Sequence, residues 1–119
     1  MKKLLWLDDV RNPFEGGGLS IYSPIRKPFE TVWVKSYTEF TQWITNNGLP
    51  DAICFDHDLG DNREIEIKSG MDCAKWLIEY SLDNKLKLPL YNIQSANPAG
   101  KENIRGLFLS FIKNVDGLK

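Results

Sequence analysis

The chain alternates between short apolar runs and longer stretches in which apolar residues recur every three or four positions. The runs are Lys3–Leu7 (KLLWL), Thr31–Lys35 (TVWVK), Ala52–Phe55 (AICF) and Leu88–Gln94 (LPLYNIQ). Short runs of branched and aromatic residues bounded by polar turns predict strands, and Pro89 is acceptable at the opening of the last one. Helical spacing holds in three places. Phe40, Trp43 and Ile44 share a face after Ser36-Tyr37-Thr38-Glu39, which fits a capping box. Asn47-Gly48 offers a left-handed stop there, and Pro50 opposes continuation. Met71, Ala74, Leu77 and Ile78 form a second face, with Ser69 and Asp72 suited to its start. Ile104, Leu107, Phe108, Phe111, Ile112 and Val115 form the third and clearest, with Asn97 as N-cap and Pro98 at the first helical position.

Two stretches hold no such pattern. Between Val10 and Glu30, the residues Pro13, Gly16-Gly17-Gly18, Pro24 and Pro28 interrupt any helix or strand. Asp61–Lys68 (DNREIEIK) is charged and alternating, and reads as a flap or a short exposed hairpin. Strands separated by helices predict a parallel sheet with right-handed crossovers. The expected architecture is a small three-layer α/β fold made by residues 1–119 as a single domain. Its sheet order is 2-1-3-4, and the long loop replaces the first helix. The order reverses between the first and third strands, where such sheets bind ligands beyond their carboxyl ends.

Composition narrows the class without naming a function. A chain of 119 residues with 42% hydrophobic side chains buries roughly two-thirds of its unfolded surface and needs no disulfide or metal to fold. Fifteen basic and sixteen acidic residues leave a net charge of −1, so no global charge argues for nucleic-acid or membrane binding. Cys54 and Cys73 lack zinc-site spacing and read as buried free thiols, in keeping with a reducing cytoplasm. The opening MKKLLWLDDVR is too short in its apolar part for a signal peptide or a membrane span.

The chemistry-bearing residues fall at the expected strand ends. Asp8 and Asp9 end the first strand, Asp56, His57 and Asp58 the third, and Gln94, Ser95 and Asn97 the fourth. Carboxylates brought this close repel unless a cation is present, and a set of hard oxygen ligands suits Mg²⁺ or Mn²⁺. Such an ion binds a phosphate oxygen and offsets its charge. The Asn97-Pro98 helix start aims free N–H groups at the same space, and Arg11 adds a forked donor. Each residue also has a plain structural reading. Asp8-Asp9 is ordinary turn chemistry, His57 hydrogen-bonds a carboxylate, and Asn97 only caps its helix. Arg11 pairs with Asp8 or Glu15 on that reading. The tryptophans at 6, 33, 43 and 76 read as core, and the glycine triplet, without the lysine of a P-loop, as a loop.

LWLDDVRNP (Leu5–Pro13), FDHDLG (Phe55–Gly60), SGMDCAKWL (Ser69–Leu77) and IQSANPAG (Ile93–Gly100), in this order, together resemble the cyclic-phosphate processing receiver domains, a branch of the response-regulator receiver fold. The resemblance implies a receiver-like (flavodoxin-like) parallel sheet with an acidic pocket. In ordinary receivers an acidic pair after the first strand binds Mg²⁺ and an aspartate ending the third accepts a phosphoryl group, positions held here by Asp8, Asp9 and Asp56. The family implies processing of cyclic phosphates, such as RNA or nucleotide ends. The chain departs from the family pattern in two places. Gln94-Ser95-Ala96-Asn97 stands where the family has His-Ser-x-Asn, and a glutamine moves no proton at neutral pH. The fifth strand of ordinary receivers, with its phosphate-contacting lysine, is not evident, and Lys101 is the substitute at hand.

Three functions are compatible with these residues. The first is a cytoplasmic metal-dependent phosphoesterase acting on a cyclic phosphate or a phosphorylated nucleotide or RNA end. Asp8, Asp9 and Asp56 would hold the metal, Asp56, His57 and Asp58 would be catalytic, and Arg11, Ser95, Asn97, Gly100 and Lys101 would bind phosphate. The second is a receiver that takes a phosphoryl group on Asp56. The third is a non-catalytic binder of a nucleotide or a protein.

Overall fold

Leu4, Leu5, Trp6 and Leu7 are all buried, which a strand achieves only where both faces of its sheet are covered. They belong to β1 (Lys2–Leu7), which pairs in parallel with β2 (Phe29–Val34) on one side and β3 (Ala52–Phe55) on the other. β4 (Leu90–Ile93) adds in parallel beyond β3, so the order is β2-β1-β3-β4, as the sequence pattern predicts. The computed structural model describes residues 1–9, 11–56, 69–94 and 98–117, with side chains as far as 111. The expected flap at Asp61–Lys68 lies outside them.

Because side chains alternate along a strand, the four residues of β1 feed two cores. Leu5 and Leu7 join Ile53, Phe55 and Ile93 beneath α2 (Tyr37–Asn47), α3 (Gly70–Asp83) and α4 (Pro98–Gly117). Phe40, Ile44, Cys73, Ala74, Leu77, Ile104 and Phe108 come down from those helices. Leu4 and Trp6 join Ala52 and Cys54 on the opposite face, covered by Leu19, Tyr22, Ile25, Phe29 and Trp33. The long connection after β1 therefore takes the place of a helix layer. It contains one turn of helix, α1 (Gly18–Tyr22), too short to leave a periodic signature. A Cβ added to Gly18 would lie 3.2 Å from the Trp6 ring, so glycine lets α1 approach the sheet. Tyr22 O then accepts from Asn92 Nδ2 at 2.8 Å and from Cys54 Sγ at 3.6 Å, tying α1 to β3 and β4.

Local signals act where the sequence places them, with shifts at the borders. Ser36 caps α2 through its hydroxyl, which accepts from the Glu39 N–H at 3.1 Å. The reciprocal capping box forms instead at Ser69 and Asp72, the start of α3. Gly48 ends α2 at φ 86°, backbone that favours glycine. β2 begins earlier than its β-branched core, at Phe29, and β4 begins later than Leu88. Pro89 has no N–H to give, so the ladder starts with Leu90 N–H to Asp51 O at 3.2 Å. Among the described residues no helix is long and apolar enough to cross a membrane.

Neither Cys54 nor Cys73 is in a disulfide, and both are fully buried. Burial pushes the Cys54 thiol up from 9.0 to about 12. Between these values the unfolded chain ionises while the folded chain keeps its proton, so stability is lost as pH rises through the window. The expected loss is about 1.4 kcal/mol per pH unit above the unfolded value. Urea unfolding of the native protein and of Cys54→Ala reads this directly. The stability difference between the two should shrink from about pH 8 to about pH 10, and a constant difference would refute burial of an un-ionised thiol.

Candidate functional site

Three backbone hydrogen bonds carry the sheet ladder one residue past its strands. Asp8 N donates to Val34 O at 3.1 Å, Asp56 N to Leu7 O at 2.9 Å, and Gln94 N to Phe55 O at 2.8 Å. Leu7 pairs with Phe55 and Phe55 with Ile93, so Asp8, Asp56 and Gln94 stand side by side at the carboxyl edge. This is the edge of the β1–β3 junction, where the strand order reverses. Regular strand geometry therefore delivers the acidic residues together.

The carboxylates of Asp8, Asp9 and Asp56 each place an oxygen within 4.8 Å of the others. Asp8 is 2% exposed, and Asp9 and Asp56 are partly buried. A set of three hard anionic oxygens on three partly desolvated residues fits Mg²⁺ or Mn²⁺ by donor type and leaves coordination positions for a ligand. It does not suit a thiolate-ligated zinc, since the Cys54 and Cys73 thiols lie inside the two cores.

Arg11 bends the chain over this edge. Its N–H donates to Asp8 Oδ1 at 2.9 Å and its Nη1 to Gln94 O at 2.7 Å. The bond to Gln94 uses one of the guanidinium's several donors. Two tryptophans hold the same backbone from beneath. Trp33 Nε1 donates to Asp8 O at 2.7 Å and Trp6 Nε1 to Arg11 O at 3.1 Å. Gln94 Nε2 lies 3.1 Å from Leu7 O and 3.5 Å from Asp8 Oδ2.

Of the residues singled out from sequence, Asp8, Asp9, Asp56 and Arg11 are together at this edge. Gly100, buried, and Lys101, partly exposed, lie in the first turn of α4, which follows β4. His57, Asp58, Ser95 and Asn97 lie outside the described residues. Trp6 and Trp33 are not among the candidate site residues, and Gln94, named at the end of the fourth strand, has no binding or catalytic role assigned from sequence. The tryptophans read as core, which they are, but a buried indole N–H needs an acceptor, and both find it in the backbone that carries Asp8 and Arg11.

No curated protein matches the chain. Among solved structures it is similar to a yeast Spc42 trimeric coiled-coil segment fused to another structure, with 16% identity, 94% of this chain and 73% of that chain covered, and a TM-score of 0.56. At that identity the likeness is one of fold. A model of the cyclic-phosphate processing receiver domain matches residues 3–110, from the first strand well into the last helix. The chain thus carries the acidic edge and the parallel sheet of a receiver within a match that takes in nearly its whole length, and it belongs to the cyclic-phosphate processing receiver domain family.

Proposed function

We propose that this domain is a metal-dependent phosphoesterase acting on a cyclic phosphate or on a phosphorylated nucleotide or RNA end. One observation carries the reading: three carboxylates share a space of 4.8 Å at the strand-order reversal of a family tied to cyclic-phosphate processing. Asp8, Asp9 and Asp56 would hold Mg²⁺ or Mn²⁺. A divalent cation bound there supplies charge neutralisation for a phosphate oxygen.

The chain's own groups do the rest. Arg11 reaches the edge with further N–H donors for a phosphate oxygen. Gly100 and Lys101 offer backbone N–H groups in the first turn of α4, and Ser95 and Asn97, just ahead of it in sequence, are the further candidates for phosphate contact. His57, the only imidazole in the chain, moves a proton to or from the ester oxygen or the attacking water, with Asp58 orienting that water. The same residues suit a phosphorylated ligand whether its phosphate is cyclic or terminal.

A second reading, a binder without turnover, is favoured by Gln94. An amide there, engaged with Leu7 O, cannot exchange protons at neutral pH. Incubating the protein with 2′,3′-cyclic and linear nucleotides, with Mg²⁺, with Mn²⁺ and with a chelator, separates the readings. Metal-dependent release of a nucleoside monophosphate is the expected result. Saturable binding with no product supports the binder, and a stable acyl phosphate on Asp56 from a small phosphodonor supports a phospho-accepting receiver.

A further inference from the structure

Gln94 closes β4 with 1% of its surface exposed, and polar side chains buried to that degree rarely leave an atom without a partner. Its amide nitrogen has two acceptors: Leu7 O at 3.1 Å, and Asp8 Oδ2 in a longer contact of 3.5 Å with a charged oxygen. Among the described residues its Oε1 has no donor. Exchanging the amide's oxygen and nitrogen would set Oε1 against a carbonyl and a carboxylate, acceptors both, so chemistry fixes the orientation. An apolar residue would fill this space without leaving a buried acceptor unpaired. The amide has to be explained by what its nitrogen does.

One nitrogen bearing two protons serves two acceptors at once, the last carbonyl of β1 and the carboxylate that follows it. Gln94 thereby restrains Asp8 at Oδ2 while the Arg11 N–H restrains Oδ1 at 2.9 Å. A neutral imidazole carries a single N–H and serves one of the two. The amide also places no charge of its own beside three carboxylates. We propose that Gln94 is a positioning residue of the metal centre. It holds the Asp8 carboxylate in the orientation that lets Asp8, Asp9 and Asp56 share one cation. The inference rests on reading that cluster as a divalent-cation site.

Gln94→Met, close in volume and without N–H donors, separates this role from a purely structural one. The melting temperature of the metal-free protein is expected to hold or rise, because an unpaired buried acceptor is gone. Affinity for Mn²⁺, read by calorimetry and by the EPR signal of free Mn²⁺, is expected to fall about 10–100-fold, the usual effect of removing a group that orients a metal ligand. A residue serving only the fold gives the reverse: the melting temperature falls and the folded protein binds Mn²⁺ as before, which overturns the proposal. Gln94→Leu repeats the test if the methionine variant fails to fold, and failure of both variants overturns it as well. Wild-type protein that binds no Mn²⁺, or no more than Asp56→Asn, ends the cluster reading and this proposal with it. Normal binding by both wild type and Gln94→Met ends this proposal alone.

Discussion

Asp56→Asn is expected to remove metal-dependent turnover almost wholly while making the metal-free protein more stable. The two effects have one cause. In the absence of a cation, three carboxylate oxygens within 4.8 Å repel one another. Each pair costs about 1 kcal/mol if screened as in water, and about 3 kcal/mol at the effective dielectric near a protein surface. An asparagine keeps the shape and removes one charge, so the apo melting temperature should rise. The same change removes an anionic ligand, and with it the stabilisation that metal gives, which reaches about 2.7 kcal/mol at a hundredfold excess over the dissociation constant. Thermal melts with and without Mg²⁺ or Mn²⁺ read both terms. Wild type should gain stability with metal, and Asp56→Asn should start higher and gain little. His57→Gln provides the contrast: it should keep the metal-induced gain and lose about 10²–10⁴-fold in rate, the range for one proton carrier. An Asp56→Asn protein that melts lower than wild type without metal and gains as much with it would mean that the cluster holds no cation.

Much of this was legible in the residues because it is periodic or local. Ala52–Phe55 is a strand with the predicted bounds, since four apolar residues between Asp51 and Asp56 have few alternatives. Phe40 and Ile44 face the core as their spacing requires. The order β2-β1-β3-β4 follows from connection chemistry, and once it is known the meeting of Asp8 with Asp56 is a consequence of register. What stayed hidden depends on contacts distant in sequence. Gln94 reaches Asp8 across 86 positions, and nothing local to residue 94 announces that partner. Trp33 bonds Asp8 O only because Trp6 and Trp33 are paired neighbours in the sheet. The turn of helix at Gly18–Tyr22 has no repeat to detect, and its place is decided by Trp6 beneath it.

Phe55→Ala is expected to cost about 3–5 kcal/mol of folding stability, a large share of the 5–15 kcal/mol that holds a typical domain together. Phe55 is fully buried, with its ring centroid 5.8 Å from that of Phe40 and 5.4 Å from that of Phe108. It therefore joins β3 to both α2 and α4, and truncation leaves a cavity that two helices and a strand must share. Phe40 also packs edge-on against Trp76 of α3 at 6.2 Å, so the loss reaches all three helices on that face. Phe55→Leu, which refills most of the volume, should cost far less, about 1 kcal/mol. Urea unfolding should show both losses as shifts in midpoint at constant slope. The neighbouring Asp56 is held differently, by its N–H to Leu7 O in the sheet. Packing and site should then separate in Phe55→Leu, which lowers stability but keeps Mn²⁺ affinity within about threefold of wild type. A loss of affinity as large as that from Asp56→Asn would mean that the aromatic cluster, and not the strand ladder, sets the geometry of the acidic edge. A cost below about 1.5 kcal/mol for Phe55→Ala would mean that the three rings do not form a rigid core.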